Sequence, residues 1–136
     1  MNPAERIQAY FDDCGHGTAA DIASHFTTDA VIFDSNLPPV CGDQAIGQMW
    51  LKVRHRWMGA SWVVDSVVAE GSVAAIEWSM KGVDPSDRRP FVFRGSEHYR
   101  FDAEGLIDEI RQYWTFDPAT LDTGLIDYPY PDPGPD

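Results

Sequence analysis

The order of helical and strand signals predicts an α+β fold, a cone in which a curved antiparallel sheet wraps around three helices. Three observations carry this expectation: two capped, amphipathic helix starts near the N-terminus, a third helical repeat over residues 44–57, and a change to a two-residue period from Ser61 onward that persists through four long runs. Helices with one apolar stripe and strands with one apolar face bury them against each other, which leaves a hollow inside the curve.

Asn2-Pro3-Ala4-Glu5 places Asn at the N-cap, Pro at the first helical position and Glu at the third. The stripe Ile7, Tyr10, Phe11 and Cys14 follows at helical spacing and turns Tyr10 toward the core, and Gly15-His16-Gly17 ends the helix. Thr18-Ala19-Ala20-Asp21 repeats the capping signature and opens a short helix with the stripe Ala19, Ile22, Ala23 and Phe26, expected to run to about Thr28. Residues 30–34 read as a short strand with Ala30, Ile32 and Asp34 on one side. Residues 35–42 read as a loop, because Pro38 and Pro39 stop either regular structure. The third helix carries Ile46, Met49, Trp50, Val53 and Trp57 at helical spacing, with Gly59 as its stop.

Four strands are predicted over residues 62–70, 73–83, 91–102 and 106–116, forming an antiparallel meander. The second turns Ala74, Ile76, Trp78 and Met80 to one face, and the last turns Ile110, Gln112, Trp114 and Phe116. Both faces of the last strand are semi-polar, which leads us to expect a homodimer through the outer sheet face. Residues 1–116 thus form one domain. From Asp117 the composition turns to Pro, Asp and Gly, and residues 117–136 are expected to be a flexible acidic tail without a packed element. Its Leu121, Leu125, Ile126, Tyr128 and Tyr130 are the groups able to lay it on the surface or over a pocket mouth.

Bulk properties narrow the partners. With 136 residues and 43% hydrophobic content, the chain encloses one core, and a net charge of -12 repels phosphate backbones and anionic membranes. No nucleic acid or membrane partner is expected, and the basic cluster Lys52-Val53-Arg54-His55-Arg56 reads as a solvated helix face. No apolar run approaches spanning length and no leader precedes the first helix, so a cytoplasmic location is expected. Cys14 and Cys41 make no paired spacing and read as packed, reduced thiols. His16, His25, His55 and His98 lie at no metal-ligand spacing, so neither metal nor cofactor is expected. A Gly-x-Ser-x-Gly elbow and a phosphate-cradling glycine loop are both absent from the sequence.

One carboxyl breaks the pattern. In the run from Phe91 to Asp102, alternation gives an inward face of Phe91, Phe93, Gly95, Glu97, Tyr99 and Phe101, against an outward face that includes Arg94, His98 and Arg100. Glu97 therefore sits among aromatics, where an ionised carboxylate is costly unless paired or protonated. It is either a functional acid or a structural one answered by a buried arginine or backbone donors; an arginine such as Arg111 has the opposite strand parity and is not expected to reach it. Tyr10 on the inward helical stripe and Asp34 at the end of the first strand fall toward the same hollow, although each alone fits a core tyrosine or a loop-capping acid.

Glu97-His98-Tyr99-Arg100-Phe101 resembles the Asp-His-Phe-Arg-Phe of ketosteroid isomerases, and Asp29-Ala30-Val31-Ile32-Phe33-Asp34 is similar to their Asp-Ala-Thr-Val-Glu-Asp. Tyr10 precedes Asp29 by the interval seen in those enzymes. Over residues 3–116 the chain resembles the nuclear transport factor two-like superfamily, in its SnoaL-like and ketosteroid isomerase branch, whose fold is the cystatin-like cone. The resemblance implies cofactor-independent acid-base catalysis, with Asp34 as general base and Tyr10 and a protonated Glu97 as hydrogen-bond donors to a developing oxyanion. Glu97 is one methylene longer than the isomerase's aspartate, and Trp50 stands where a supporting tyrosine is expected. The expected reaction therefore widens to a double-bond shift, ring closure or dehydration of a small hydrophobic carbonyl or polycyclic compound.

The predicted pocket wall is Met49, Trp50, Trp78, Met80, Phe93, Tyr99, Phe101, Ile110 and Trp114, with Gln112 as an uncharged polar group able to orient substrate. Such a lining suits a flat, apolar, ring-containing ligand. A histidine pair with Asp34 through His16 or His55 is a second enzymatic option, and a noncatalytic ligand-binding or dimerisation module of the same fold is the rival to catalysis.

Overall fold

The computed structural model describes residues 1–117 and 119–135. Helix α1 (Pro3–His16) begins at the expected capping box, with Asn2 and Glu5 each bonding the other's backbone N–H, and buries Ile7, Tyr10, Phe11 and Cys14. Helix α2 (Ala19–Ala23) has the same reciprocal cap between Thr18 and Asp21. It ends before the expected position, because Phe26, Thr27 and Thr28 have strand-forming side chains and β1 (Phe26–Asp34) has already begun there. The carbonyl of His25 accepts from Ile107, which fixes this early start.

The segment expected to be only loop contains a two-residue strand, β2 (Val40–Cys41), which pairs with Val31 and Ile32 just past the two prolines. Helix α3 (Asp43–Arg56) follows, burying Ile46, Gly47 and Trp50. Strand β3 (Met58–Glu70) starts earlier than expected, since Gly59 adopts φ +60 within an irregular stretch of pairing rather than closing the helix. Strands β4 (Val73–Val83), β5 (Pro90–Phe101) and β6 (Ile107–Trp114) complete the meander. The sheet order is β2-β1-β6-β5-β4-β3, and β1 joins β6 in parallel. The sheet is therefore mixed and open rather than wholly antiparallel; the helices and meander return the chain to the β1 edge running in the same direction. Its concave face and the helices enclose the core, from Ile7 and Ile22 to Ile107 and Ile110.

The tail departs most from expectation. Strand β6 ends at Trp114, opposite Gly95, so the first residues of β5 have no partner on that side. Strand β7 (Asp122–Thr123) fills this edge, pairing in parallel with Val92 and Phe93. The chain then folds over the outer face of β5 and buries Arg94 to 8% exposure. The Arg94 guanidinium donates to the Asp132 carbonyl at 2.8 Å, meets the Asp122 carboxylate at 3.5 Å and lies 3.8 Å from the Tyr130 ring centroid. Lys81 pairs with Asp132 beside it. Part of the outer face expected to meet a second copy is thus covered by the chain itself, by a segment expected to be a flexible tail; that expectation at positions 118 and 136 lies outside the described residues. Cys14 is packed as expected, whereas Cys41 is exposed, and both are free thiols. Among the described residues no helix is long and apolar enough to cross a membrane.

Gly47 sets the approach of α3 to α2, because a Cβ there would stand 2.3 Å from the Ala19 carbonyl oxygen. Alanine ordinarily favours a helix interior over glycine, but this contact is with backbone that cannot swing aside. Gly47→Ala is expected to destabilise the fold by about 1–3 kcal/mol, read as a lower urea midpoint with an unchanged m-value.

Candidate functional site

Three strands bring the polar residues of the site into one row. Asp34 on β1 is the register partner of Gln112 on β6, and Gln112 is in turn the partner of Glu97 on β5. Neighbouring strands lie about 5 Å apart, so the three side chains stand side by side on the concave face. This row forms part of the wall of a cavity of about 390 Å³. Helix α1 contributes Tyr10, Phe11 and Cys14, α3 contributes Met49, Trp50, Val53 and Arg56, and the sheet adds Trp62, Trp78, Met80, Phe93 and Trp114. Asn36, Leu37, Trp57 and Phe116 complete the lining, Leu37 and Phe116 at its exposed rim.

Glu97 is buried to 3% exposure and accepts one hydrogen bond, from the Tyr99 hydroxyl to Oε1 at 2.9 Å. Burial pushes its carboxyl up to about 8; the Tyr99 bond pulls the other way, and the Asp34 charge adds to the rise. At neutral pH Glu97 therefore carries a proton. With Oε1 taken, Oε2 is the oxygen left to donate. Arg111 does not answer it: that side chain is exposed and donates to Glu109 at 2.8 Å on the outer face, as strand parity requires.

Asp34 has a different environment. Its carboxylate accepts from Gln112 Nε2 at 2.9 Å, from Trp114 Nε1 at 3.2 Å and from the Asn36 backbone N–H at 2.7 Å. These three contacts fix the orientation of the carboxylate at the cavity wall. Two carboxyls on one wall thus have different surroundings: Asp34 meets three donors, and Glu97 meets one among apolar side chains. Tyr10 is buried, and burial first, then Cys14 and Glu97, raises its hydroxyl well above the usual tyrosine range. It stays neutral. Among the described residues its hydroxyl has no partner at hydrogen-bond geometry, although the Cys14 thiol and the Trp50 indole N–H lie close enough to act on it, and the Trp50 N–H and Gln112 Oε1 are likewise buried without a partner. Buried polar atoms left unpaired cost about 1–3 kcal/mol each. Burial also raises the Cys14 thiol, which keeps it from acting as a thiolate nucleophile.

Of the residues expected at the site, Tyr10, Asp34, Glu97, Met49, Trp50, Trp78, Met80, Phe93, Gln112 and Trp114 all line the cavity. Tyr99, Phe101 and Ile110 do not. They lie beyond Glu97 where the cone closes and are packed as core, with the Tyr99 and Phe101 rings stacked at 6.0 Å. Tyr99 meets the site only through its bond to Glu97. His16 and His55 are exposed and lie outside the lining, so neither forms the alternative pair with Asp34. The buried histidine is His25, whose Nε2 is 2.6 Å from Asp13 Oδ2 outside the cavity. Sequence reasoning missed Phe11, Cys14, Val53, Trp57 and Phe116 as lining, although all five sit on the inward stripes it identified; Trp62, Arg56, Asn36 and Leu37 had no such signal. Among the described residues no three His, Cys, Asp or Glu side chains gather as metal ligands.

The SnoaL-like domain family matches residues 7–110. The chain belongs to the SnoaL-like family. No curated protein matches this SnoaL-like domain in sequence. Among solved structures, it is similar to a protein of unknown function with a cystatin-like fold from Methylobium petroleophilum, with a TM-score of 0.72 and 28% identity over 93% of this chain and 86% of that one. A protein with a ketosteroid isomerase-like fold from Catenulispora acidiphila, in complex with trimethylamine, gives a TM-score of 0.75 at 15% identity, covering 89% of this chain and 91% of that one. The epoxide hydrolase/cyclase-like enzyme SalBIII, which has a role in pyran ring formation in the polyether salinomycin, gives 0.72 at 19% identity, covering 83% and 90%. The last two similarities show the fold.

The protonation of Glu97 is directly measurable. Infrared or carbon-13 spectra at pH 7 are expected to show one protonated carboxyl that titrates near pH 8 and is missing in Glu97→Gln. Because the folded value lies above the ordinary 4.5, the stability that Glu97 contributes is complete below about pH 4.5 and is lost as pH climbs to about 8. Glu97→Gln is expected to flatten that part of the stability profile.

Proposed function

We propose that this SnoaL-like domain is a cofactor-independent acid-base enzyme of the isomerase, cyclase or dehydratase type, acting on a small hydrophobic carbonyl compound. The observation that carries this reading is the placement of two carboxyls in one row on the wall of an apolar cavity, Glu97 buried with a single hydrogen bond and Asp34 held by three donors. Asp34, ionised, takes a proton from the carbon beside the substrate carbonyl. Glu97 donates from Oε2 to the carbonyl oxygen as that oxygen gains negative charge, and the unpartnered Tyr10 hydroxyl is the second donor. In a cavity lined by tryptophans and phenylalanines these bonds are worth more than in water, because little else competes for them. The abstracted proton is then returned at another carbon, or the carbanion closes a ring or expels a leaving group. Membership of the SnoaL-like family and the likeness to a cyclase-like enzyme support this class of reaction.

A second reading has its own observation. The three donors on Asp34 engage both of its oxygens in the wall of the cavity, which favours a pocket that holds an apolar ligand without turning it over. Deuterium uptake separates the two. Wild-type protein in D2O is expected to accelerate exchange of the hydrogens beside the carbonyl of 1-tetralone, followed by proton NMR. Asp34→Asn is expected to slow that exchange by about 10²–10⁴-fold while leaving the dissociation constant within a few-fold of wild type. The rate is also expected to fall as pH rises through about 8, where Glu97 loses its proton.

A further inference from the structure

Gln112 Oε1 is a buried acceptor that nothing in the described structure satisfies. The residue is 7% exposed, lines the cavity, and stands between Asp34 and Glu97 in the row of three. Its orientation is fixed: Nε2 donates to Asp34 Oδ2 at 2.9 Å, and turning the amide over would set its oxygen against a carboxylate. The oxygen is thus fixed as an unpaired acceptor within the cavity wall. Beside it, the Glu97 carboxyl presents a donor.

We propose that Gln112 is a specificity-determining residue whose Oε1 accepts a hydrogen bond from a hydroxyl or N–H of the ligand, so that the preferred substrate is a carbonyl compound bearing a donor group a short distance from its carbonyl oxygen. The inference rests on reading this cavity as the site. Glu97 and Gln112 are register partners on adjacent strands whose backbones lie about 5 Å apart, a spacing on the scale of a carbonyl and a hydroxyl carried by one ring system. A site built this way discriminates strongly. A ligand that lacks the donor leaves Oε1 buried and unpaired, whereas one that supplies it removes the penalty. An acceptor in that position, such as an ether oxygen, faces Oε1 with no proton between them.

The test uses three flat bicyclic ketones that differ at one substituent: 1-tetralone, 4-hydroxy-1-tetralone and 4-methoxy-1-tetralone. Dissociation constants for the full chain, from tryptophan fluorescence or calorimetry, are expected to favour the hydroxy compound over the other two by about tenfold. In Gln112→Met the hydroxyl advantage is expected to collapse to about twofold or less. Equal affinity for the hydroxy and methoxy compounds in wild type, an advantage undiminished in Gln112→Met, or failure of all three to bind at millimolar concentration overturns the proposal. The comparison among ligands in wild type decides even where the variant does not fold. A hydroxyl advantage without catalysed deuterium exchange leaves this recognition standing and removes only the acid-base reading.

Discussion

The burial of Glu97 on the concave side of β5 is the constraint on which the site depends. A carboxyl placed there either finds a cation or keeps its proton, and the structure offers it a tyrosine hydroxyl and apolar walls instead of an arginine. From this follow the raised carboxyl of Glu97, a part of the rise at Tyr10 that its own burial begins, and the need for a polar residue between the two acids. Gln112 meets that need with an uncharged amide. A lysine or arginine in its place would drive Glu97 to ionise, and an apolar residue would strip Asp34 of one donor.

The strand register converts this local chemistry into a geometry. Asp34, Gln112 and Glu97 come from three strands, and each is the direct partner of the next. Their spacing is set by backbone hydrogen bonds rather than by flexible side chains, which is the arrangement that holds a catalytic or binding constellation most closely. The parallel pairing of β1 with β6 is essential here, because it brings the last residue of β1 alongside Gln112 while the loop after it remains free to form the cavity rim.

Much of this was legible in the sequence, and the physical reason is periodicity. The capped starts of α1 and α2 and the inward stripe holding Tyr10 follow from contacts between residues three or four apart, and the inward position of Glu97 follows from alternation along one strand. What the sequence did not reveal depends on distant partners. Strand β7 forms only because β6 ends early and leaves an edge open, and the first residues of β1 are strand only because Ile107 pairs with Phe26. Alternation likewise identified Tyr99, Phe101 and Ile110 as inward-facing, but not that the cone has already closed at their level. Whether an inward residue borders a hollow or fills the core depends on how far the opposite wall stands from it.

The segment folded over Arg94 has a consequence for solubility. Where β6 stops short, a hydrophobic strand would otherwise display bare N–H and C=O groups, an edge onto which another polypeptide can add by backbone pairing. Val92 instead donates to the Leu121 carbonyl at 2.8 Å, and Arg94 donates through its own N–H to Thr123 at 3.2 Å. The acidic stretch that brings these partners also surrounds them with negative charge, so the vulnerable margin of the sheet is both occupied and electrostatically guarded against self-association into aggregates.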